Sequence, residues 1–167
     1  EPQVRRVLIL GAGTAGTMVA NKLSEKLDDG WSITIVDQDE THYYQPGYLF
    51  IPFGIYSPSD VVKPKVDFLP PRAEIVVGEI DLIEADDNRV KLGDGTVIEY
   101  DYLVIATGAH IRPDETPGLE GPEYGSTVHD FYTLEGAKKL AEALRFWEGG
   151  RLVVNIIEMP IKCPVAP

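Results

Sequence analysis

An α/β fold built on a parallel sheet is what this 167-residue sequence predicts, and three observations predict it. A continuously apolar run, Val7-Leu8-Ile9-Leu10, passes at once into glycines and then a helical pattern. A second run, rich in β-branched residues, closes on an acid at Asp37. A series of short strand patterns with a hairpin signal then leads to another apolar run at residues 102–106. With 44% hydrophobic residues the chain can bury the core of one domain or slightly more, which excludes a disordered polypeptide.

The elements follow in order. Val7 to Leu10 reads as a strand buried on both faces, because alternation is lost when helices or sheets cover both sides. Met18, Val19, Leu23 and Leu27 recur at helical spacing, and Asp28-Asp29-Gly30 ends that helix. Ser32 to Asp37 is the second strand, completing a βαβ unit. From Gln38 to Pro71, prolines at 46, 52, 58, 64, 70 and 71 punctuate any long element, so an ordered excursion with one short helix near Ser57 to Val62 is expected. Strands are expected at Glu74 to Val77, Ile80 to Ala85, Arg89 to Leu92, Val97 to Tyr100 and Tyr102 to Ala106, with Asp94-Gly95 as a type I′ turn. A Pro/Gly-rich connector, a helix from about Leu134 to Phe146 and a last strand from Arg151 to Ile157 complete the chain.

The first glycines have distinct purposes. Gly11 allows the tight turn out of the strand, Gly13 lets the backbone approach a pyrophosphate, and Gly16 lets helix and strand pack closely. Asp37 lies 21 residues after Gly16, near the spacing at which an acid accepts hydrogen bonds from an adenosine ribose. The context of strand, turn, helix and acid makes this a Rossmann-like dinucleotide site. An acid at that place disfavours a 2′-phosphate, so FAD or NAD is preferred to NADP.

After the second strand, the chain inserts the excursion and a β-meander before Asp101-Tyr102-Leu103-Val104-Ile105-Ala106-Thr107-Gly108, where a simple NAD domain would add βα units. VLILGAGTAG followed a hundred residues later by DYLVIATG resembles the flavoproteins with two dinucleotide-binding domains that are related to disulfide reductases. The resemblance implies FAD as cofactor, with Ala106-Thr107-Gly108 where the chain leaves the FAD domain and Tyr43-Tyr44-Gln45-Pro46-Gly47 running along the flavin ring, a segment that by its residues alone also reads as a plain turn. The cofactor-binding residues it implies are Gly11, Gly13, Thr14, Ala15, Gly16, Asp37, Gln38, Pro46, Ile80, Ala106, Thr107 and Gly108. The expected organisation is an FAD-binding domain over 1–115, lacking its C-terminal part, a connector and helix over 116–148, and the start of a second dinucleotide-binding-like domain over 149–167.

That second start departs from the usual pattern. The strand Arg151 to Ile157 is followed by Glu158-Met159-Pro160-Ile161-Lys162-Cys163-Pro164-Val165-Ala166-Pro167, which has no glycine for a pyrophosphate to approach and a carboxylate that would repel one. PIKCPVAP is similar to the cysteine segment of sulfide:quinone oxidoreductases and of the flavoprotein subunit of flavocytochrome c sulfide dehydrogenases. On its own, a single cysteine near a chain end reads as a small hydrophobe. The resemblance implies instead that Cys163 is catalytic, paired with a second cysteine downstream and carrying sulfur. No cysteine precedes it, whereas disulfide reductases place theirs early.

The resemblance thus implies FAD-dependent oxidation of sulfide to sulfur or polysulfide, with two electrons passed to a quinone. Family members run to more than twice this length, so the chain is expected to be the first part of a longer protein. Membrane contact would come through a C-terminal part beyond it, and an oligomer stays open. Two other readings stay open: an NADH:quinone oxidoreductase or ferredoxin reductase of the same fold, which predicts a glycine turn after Ile157, and an incomplete fragment that folds but binds FAD poorly. A net charge of −12 argues against nucleic acid as a partner. No run approaches the roughly 20 apolar residues of a membrane span, and no signal-peptide layout is present, so a cytoplasmic or peripheral membrane location is expected. His42, His110 and His129 have no metal-ligand spacing, so no metal is expected, and Asp81, Glu84, Asp86 and Asp87 read as a solvated hairpin face.

Overall fold

The computed structural model describes residues 4–157, 159 and 160. The chain divides into two compact units, residues 1–43 with 62–109, and residues 44–61 with 110–167.

In the first unit, β1 (Arg5–Leu10), α1 (Thr14–Lys26) and β2 (Trp31–Asp37) form the expected βαβ unit. They are followed by β3 (Thr41–Tyr43), β4 (Val62–Pro64), β5 (Ala73–Val77), β6 (Ile80–Glu84), β7 (Arg89–Leu92), β8 (Val97–Glu99) and β9 (Tyr102–Ile105). The main sheet has the order β5-β2-β1-β9 and is parallel throughout, with Leu10 opposite Val36 on one side and Ile105 on the other. β6, β7 and β8 make an antiparallel meander, and β3 pairs with β4.

The apolar run of β1 is continuous because both faces are covered. Val7 and Ile9 join Ile33, Ile35 and Ala20 in a core to which Val19 and Leu23 of α1 contribute. Leu8 and Leu10 join Val36, Val90, Leu92 and Tyr100 in a second core beneath the meander. Successive strand residues point to opposite faces, so one strand organises both cores. The C-terminal end of α1 is tied down by Arg72, whose guanidinium donates to the carbonyl oxygens of Leu27, Asp28 and Trp31 at 2.6, 2.9 and 3.0 Å.

The turn between β7 and β8 is not type I′. Of Gly93, Asp94 and Gly95 only Gly95 has a positive φ, +88°. The Gly95 N–H donates to the Leu92 carbonyl and the Leu92 N–H to the Thr96 carbonyl, which is a three-residue loop with glycine in the left-handed position. Asp94 instead accepts the Thr96 N–H at 2.8 Å, a bond that a negative φ at Asp94 allows. On the meander, Glu84 is ion-paired with Arg89 and Lys91, so it is a strand-linking residue as well as a solvated one.

In the second unit, residues 45–50 form a 3-10 turn, and the short helix expected near Ser57 to Val62 is a single 3-10 turn over Pro58–Asp60. Reciprocal Ser57–Asp60 capping closes that turn, and Val62 is already in β4. α2 (Leu134–Arg145) packs against the 3-10 turn of residues 45–50 and starts at a capping Thr133, whose hydroxyl accepts the Gly136 N–H at 2.9 Å. Asp130 organises the approach, accepting the Tyr132 and Thr133 N–H groups and the Tyr124 hydroxyl at 2.8 Å. Burial and Asp130 together push the Tyr124 hydroxyl up to about 12.

Residues 151–157, expected as a strand, form no β-ladder and are exposed. A strand needs a hydrogen-bonding neighbour, and none lies beside this segment among the described residues. No helix among the described residues is long and apolar enough to cross a membrane.

Candidate functional site

The site is built where β1, β2 and β9 end together at the carboxyl edge of the parallel sheet, the place where such sheets open a crevice to ligands. β1 runs into Gly11, whose φ of +97° is open to glycine at low cost. A Cβ there would overlap the Ala106 carbonyl oxygen, and one at Gly16 would overlap the Gly11 carbonyl oxygen. Turn, helix and β9 therefore pass within backbone contact. The register is fixed by the Gly11 N–H to the Val36 carbonyl and the Ala106 N–H to the Leu10 carbonyl, both at 2.7 Å.

Gly13 differs from its neighbours, because a Cβ there would meet nothing within 4 Å. The space in front of it is open. α1 starts at the next residue, and the N–H groups of Thr14, Ala15 and Gly16 precede its first internal bond, from the Thr17 N–H to the Gly13 carbonyl at 3.0 Å. Thr14 and Ala15 are exposed, and no acid occupies the first turn to compete for those donors. Unpaired N–H groups and the positive end of the helix dipole face an open space, which fits a pyrophosphate. Thr107 and Gly108 are exposed at the end of β9, and Gly108 has φ +77° with open space where a Cβ would stand.

Asp37 closes the crevice at the end of β2. Its Oδ2 accepts the Ala12 N–H at 2.6 Å and its Oδ1 accepts the Gln38 N–H at 2.7 Å. The acid is thus a strut under the glycine turn as well as the expected partner for a ribose. The Gly78 N–H donates to the Asp37 carbonyl at 2.8 Å, and two residues later Ile80 opens β6 and packs against the meander core.

Sequence reasoning missed the cation beside this acid. Lys65 is only 3% exposed, and its Nζ lies 3.1 Å from Asp37 Oδ1, 2.9 Å from Asp39 Oδ1 and 2.6 Å from the Asp39 carbonyl oxygen. Its two hydrogen bonds go to Asp39, and with Asp37 it forms an ion pair. Burial pushes the Asp39 carboxyl up, but the Lys65 hydrogen bond and the Thr41 N–H outweigh it and hold the group below its ordinary value. Nothing in the sequence distinguishes Lys65 from the solvated lysines around it. Its burial depends on β3 pairing with β4 beside the end of β2.

The structure therefore brings together Gly11, Gly13, Thr14, Ala15, Gly16, Asp37, Gln38, Ala106, Thr107 and Gly108 along one sheet edge, with Ile80 just beyond Gly78. Pro46 belongs to the second unit, in the 3-10 turn of residues 45–50, where its fixed φ opens the turn. Cys163 lies outside the described residues.

Residues 5–154 match the family described as pyridine nucleotide-disulphide oxidoreductase. The chain is 32% identical over 165 residues to a mitochondrial sulfide:quinone oxidoreductase of Dictyostelium discoideum, covering 98% of this chain and 36% of that protein. It is 31% identical over 119 residues to a type II NADH:quinone oxidoreductase of Staphylococcus epidermidis, covering 70% of this chain and 29% of that protein. The crystal structure of the sulfide:quinone oxidoreductase from Aquifex aeolicus superimposes with a TM-score of 0.69 at 28% identity, over 84% of this chain and 32% of that one. The chain thus spans about a third of the length of the relatives it matches.

Proposed function

The chain belongs to the pyridine nucleotide-disulphide oxidoreductase family, whose cofactor is FAD, and on that premise we propose that the protein oxidises sulfide and delivers two electrons to a quinone. When bound, FAD supplies the two-electron relay between sulfur and quinone. The residues of this chain supply its position. Thr14, Ala15 and Gly16 offer their N–H groups to the pyrophosphate, Gly13 leaves room for it, and Asp37 offers its remaining lone pair to the ribose hydroxyls.

The observation that carries the sulfide reading is Cys163 in PIKCPVAP, in a chain whose whole length resembles a sulfide:quinone oxidoreductase. Hydrosulfide attacks a disulfide between Cys163 and a second cysteine outside these 167 residues. One S–S bond breaks and another forms, leaving a persulfide on one sulfur and a thiolate on the other. Only the thiolate form of Cys163 attacks or is attacked efficiently. An NADH-using relative would need a glycine turn after Ile157, where this chain has Glu158-Met159-Pro160.

The test is sulfide-dependent reduction of a short-chain quinone analogue by the protein at its full natural length. The wild type is expected to be active with sulfide and inactive with NADH, and Cys163→Ser is expected to keep its flavin absorbance while activity falls to background. Full activity in Cys163→Ser would sink the sulfur-carrier role. Quinone reduction by NADH in place of sulfide would favour the NADH:quinone reading.

A further inference from the structure

We propose that Lys65 is a positioning residue for the cofactor's ADP half, acting through Asp37 to hold the glycine turn in its binding shape. The inference rests on the FAD site described above and assigns a role to a residue outside the dinucleotide motif.

A lysine buried this deeply is costly unless its charge is matched, and here two carboxylates and a carbonyl surround it. It is held by backbone as well, since the Lys65 N–H donates to the Glu40 carbonyl at 2.8 Å. Asp37 is the link to the site. Its other oxygen receives the N–H of Ala12, the residue between the first two glycines, at 2.6 Å, and Ala12 itself is fully buried. The order of contact is therefore Lys65, Asp37, Ala12, glycine turn.

Two consequences follow from the charges. Without the ammonium, Asp37 and Asp39 would face each other across the space that Nζ occupies, and like charges at that range repel. Asp37 would turn away, releasing the Ala12 N–H and with it the turn. The second consequence concerns the ligand. A bare pair of carboxylates beneath the glycine turn would repel a pyrophosphate, and the Lys65 ammonium between them offsets part of that field while leaving Asp37 its hydrogen-bonding oxygen. The β3–β4 hairpin, reached through the proline-rich excursion, thereby becomes part of the dinucleotide site.

The test is a double-mutant cycle on FAD affinity in the protein at its full natural length, stripped of flavin and titrated with FAD by flavin fluorescence and with ADP by calorimetry. Lys65→Met is expected to weaken both ligands on the order of 10- to 100-fold, the loss expected for a hydrogen bond to a charged group. In an Asp37→Asn background the same substitution is expected to change affinity by less than about twofold, because its route to the ligand is already cut. A lysine that merely braced the fold would give additive losses. Far-UV circular dichroism and thermal unfolding without ligand establish that each variant is folded, and Lys65→Gln, which keeps N–H donors but not the charge, replaces Lys65→Met in the cycle if the methionine variant does not fold. A folded Lys65 variant that binds FAD and ADP as tightly as the wild type, or additive effects with Asp37→Asn, would overturn the proposal while leaving the FAD site intact. A wild type that binds neither ligand would overturn both.

Discussion

Gly13 and Gly16 stand three residues apart in the same turn and answer to opposite constraints. At Gly16 any side chain would enter the Gly11 carbonyl oxygen, so the position is closed by the protein itself. At Gly13 the space is open, so a side chain there would meet no protein atom. Gly16→Ala is expected to destabilise the fold by about 1–3 kcal/mol, since the overlap with backbone outweighs the helix preference of alanine. Gly13→Ala is expected to cost no more than about 1 kcal/mol, the difference between glycine and alanine at a helix cap, and yet to lose most FAD affinity. Chemical denaturation and flavin titration of the two variants check this, and equal stability losses would contradict the assignment. The glycine spacing in the sequence marks both positions as special. Which one is closed by packing depends on the Gly11 carbonyl oxygen and the Ile9 side chain, which meet Gly16 only in the fold.

Among the elements, the meander has a pH dependence of its own. Hydrogen bonds from Arg89 and then Lys91 lower the Glu84 carboxyl from 4.5 to about 2. A carboxylate with a depressed folded-state value contributes its stability above the unfolded value and loses it as the pH falls through the folded one. The Glu84 pairing is therefore at full strength above about pH 4.5 and fades toward pH 2. Thermal unfolding of Glu84→Gln is expected below the wild-type midpoint at pH 7, with the gap closing as the pH approaches 2. A gap independent of pH would show that the charge is not what Glu84 contributes. The strand pattern of this meander is legible in the sequence to within a residue at most ends, because alternation and turn residues are local signals. The turn type is not, since Asp94-Gly95 suits two hairpin geometries and strand register selects between them. Arg72 is likewise invisible in sequence, because the carbonyl oxygens it clamps come from the end of α1 and the start of β2.

At the scale of the whole molecule, the dinucleotide site and the fold are one thermodynamic system. A ligand that binds only the folded state stabilises it by mass action, by about 2.7 kcal/mol at a concentration 100 times its dissociation constant. FAD is therefore expected to raise the unfolding temperature of the flavin-free protein, and riboflavin, which lacks the pyrophosphate and the adenosine, to raise it far less. Equal shifts from the two would mean that the glycine turn and Asp37 are not where the binding free energy comes from. The sequence by itself determined the parallel α/β architecture, the glycine turn, its acid and the small-residue turn after β9. Each of these is written in local periodicity and in spacing along one βαβ path. Only the tertiary structure decided that residues 151–157 lie outside any β-ladder, that Asp37, expected as a partner for the ribose, also braces the glycine turn, and that Lys65 is buried beside it. Those outcomes depend on partners 25 or more residues away, and a charge or an apolar run carries no local mark of whether such a partner will arrive.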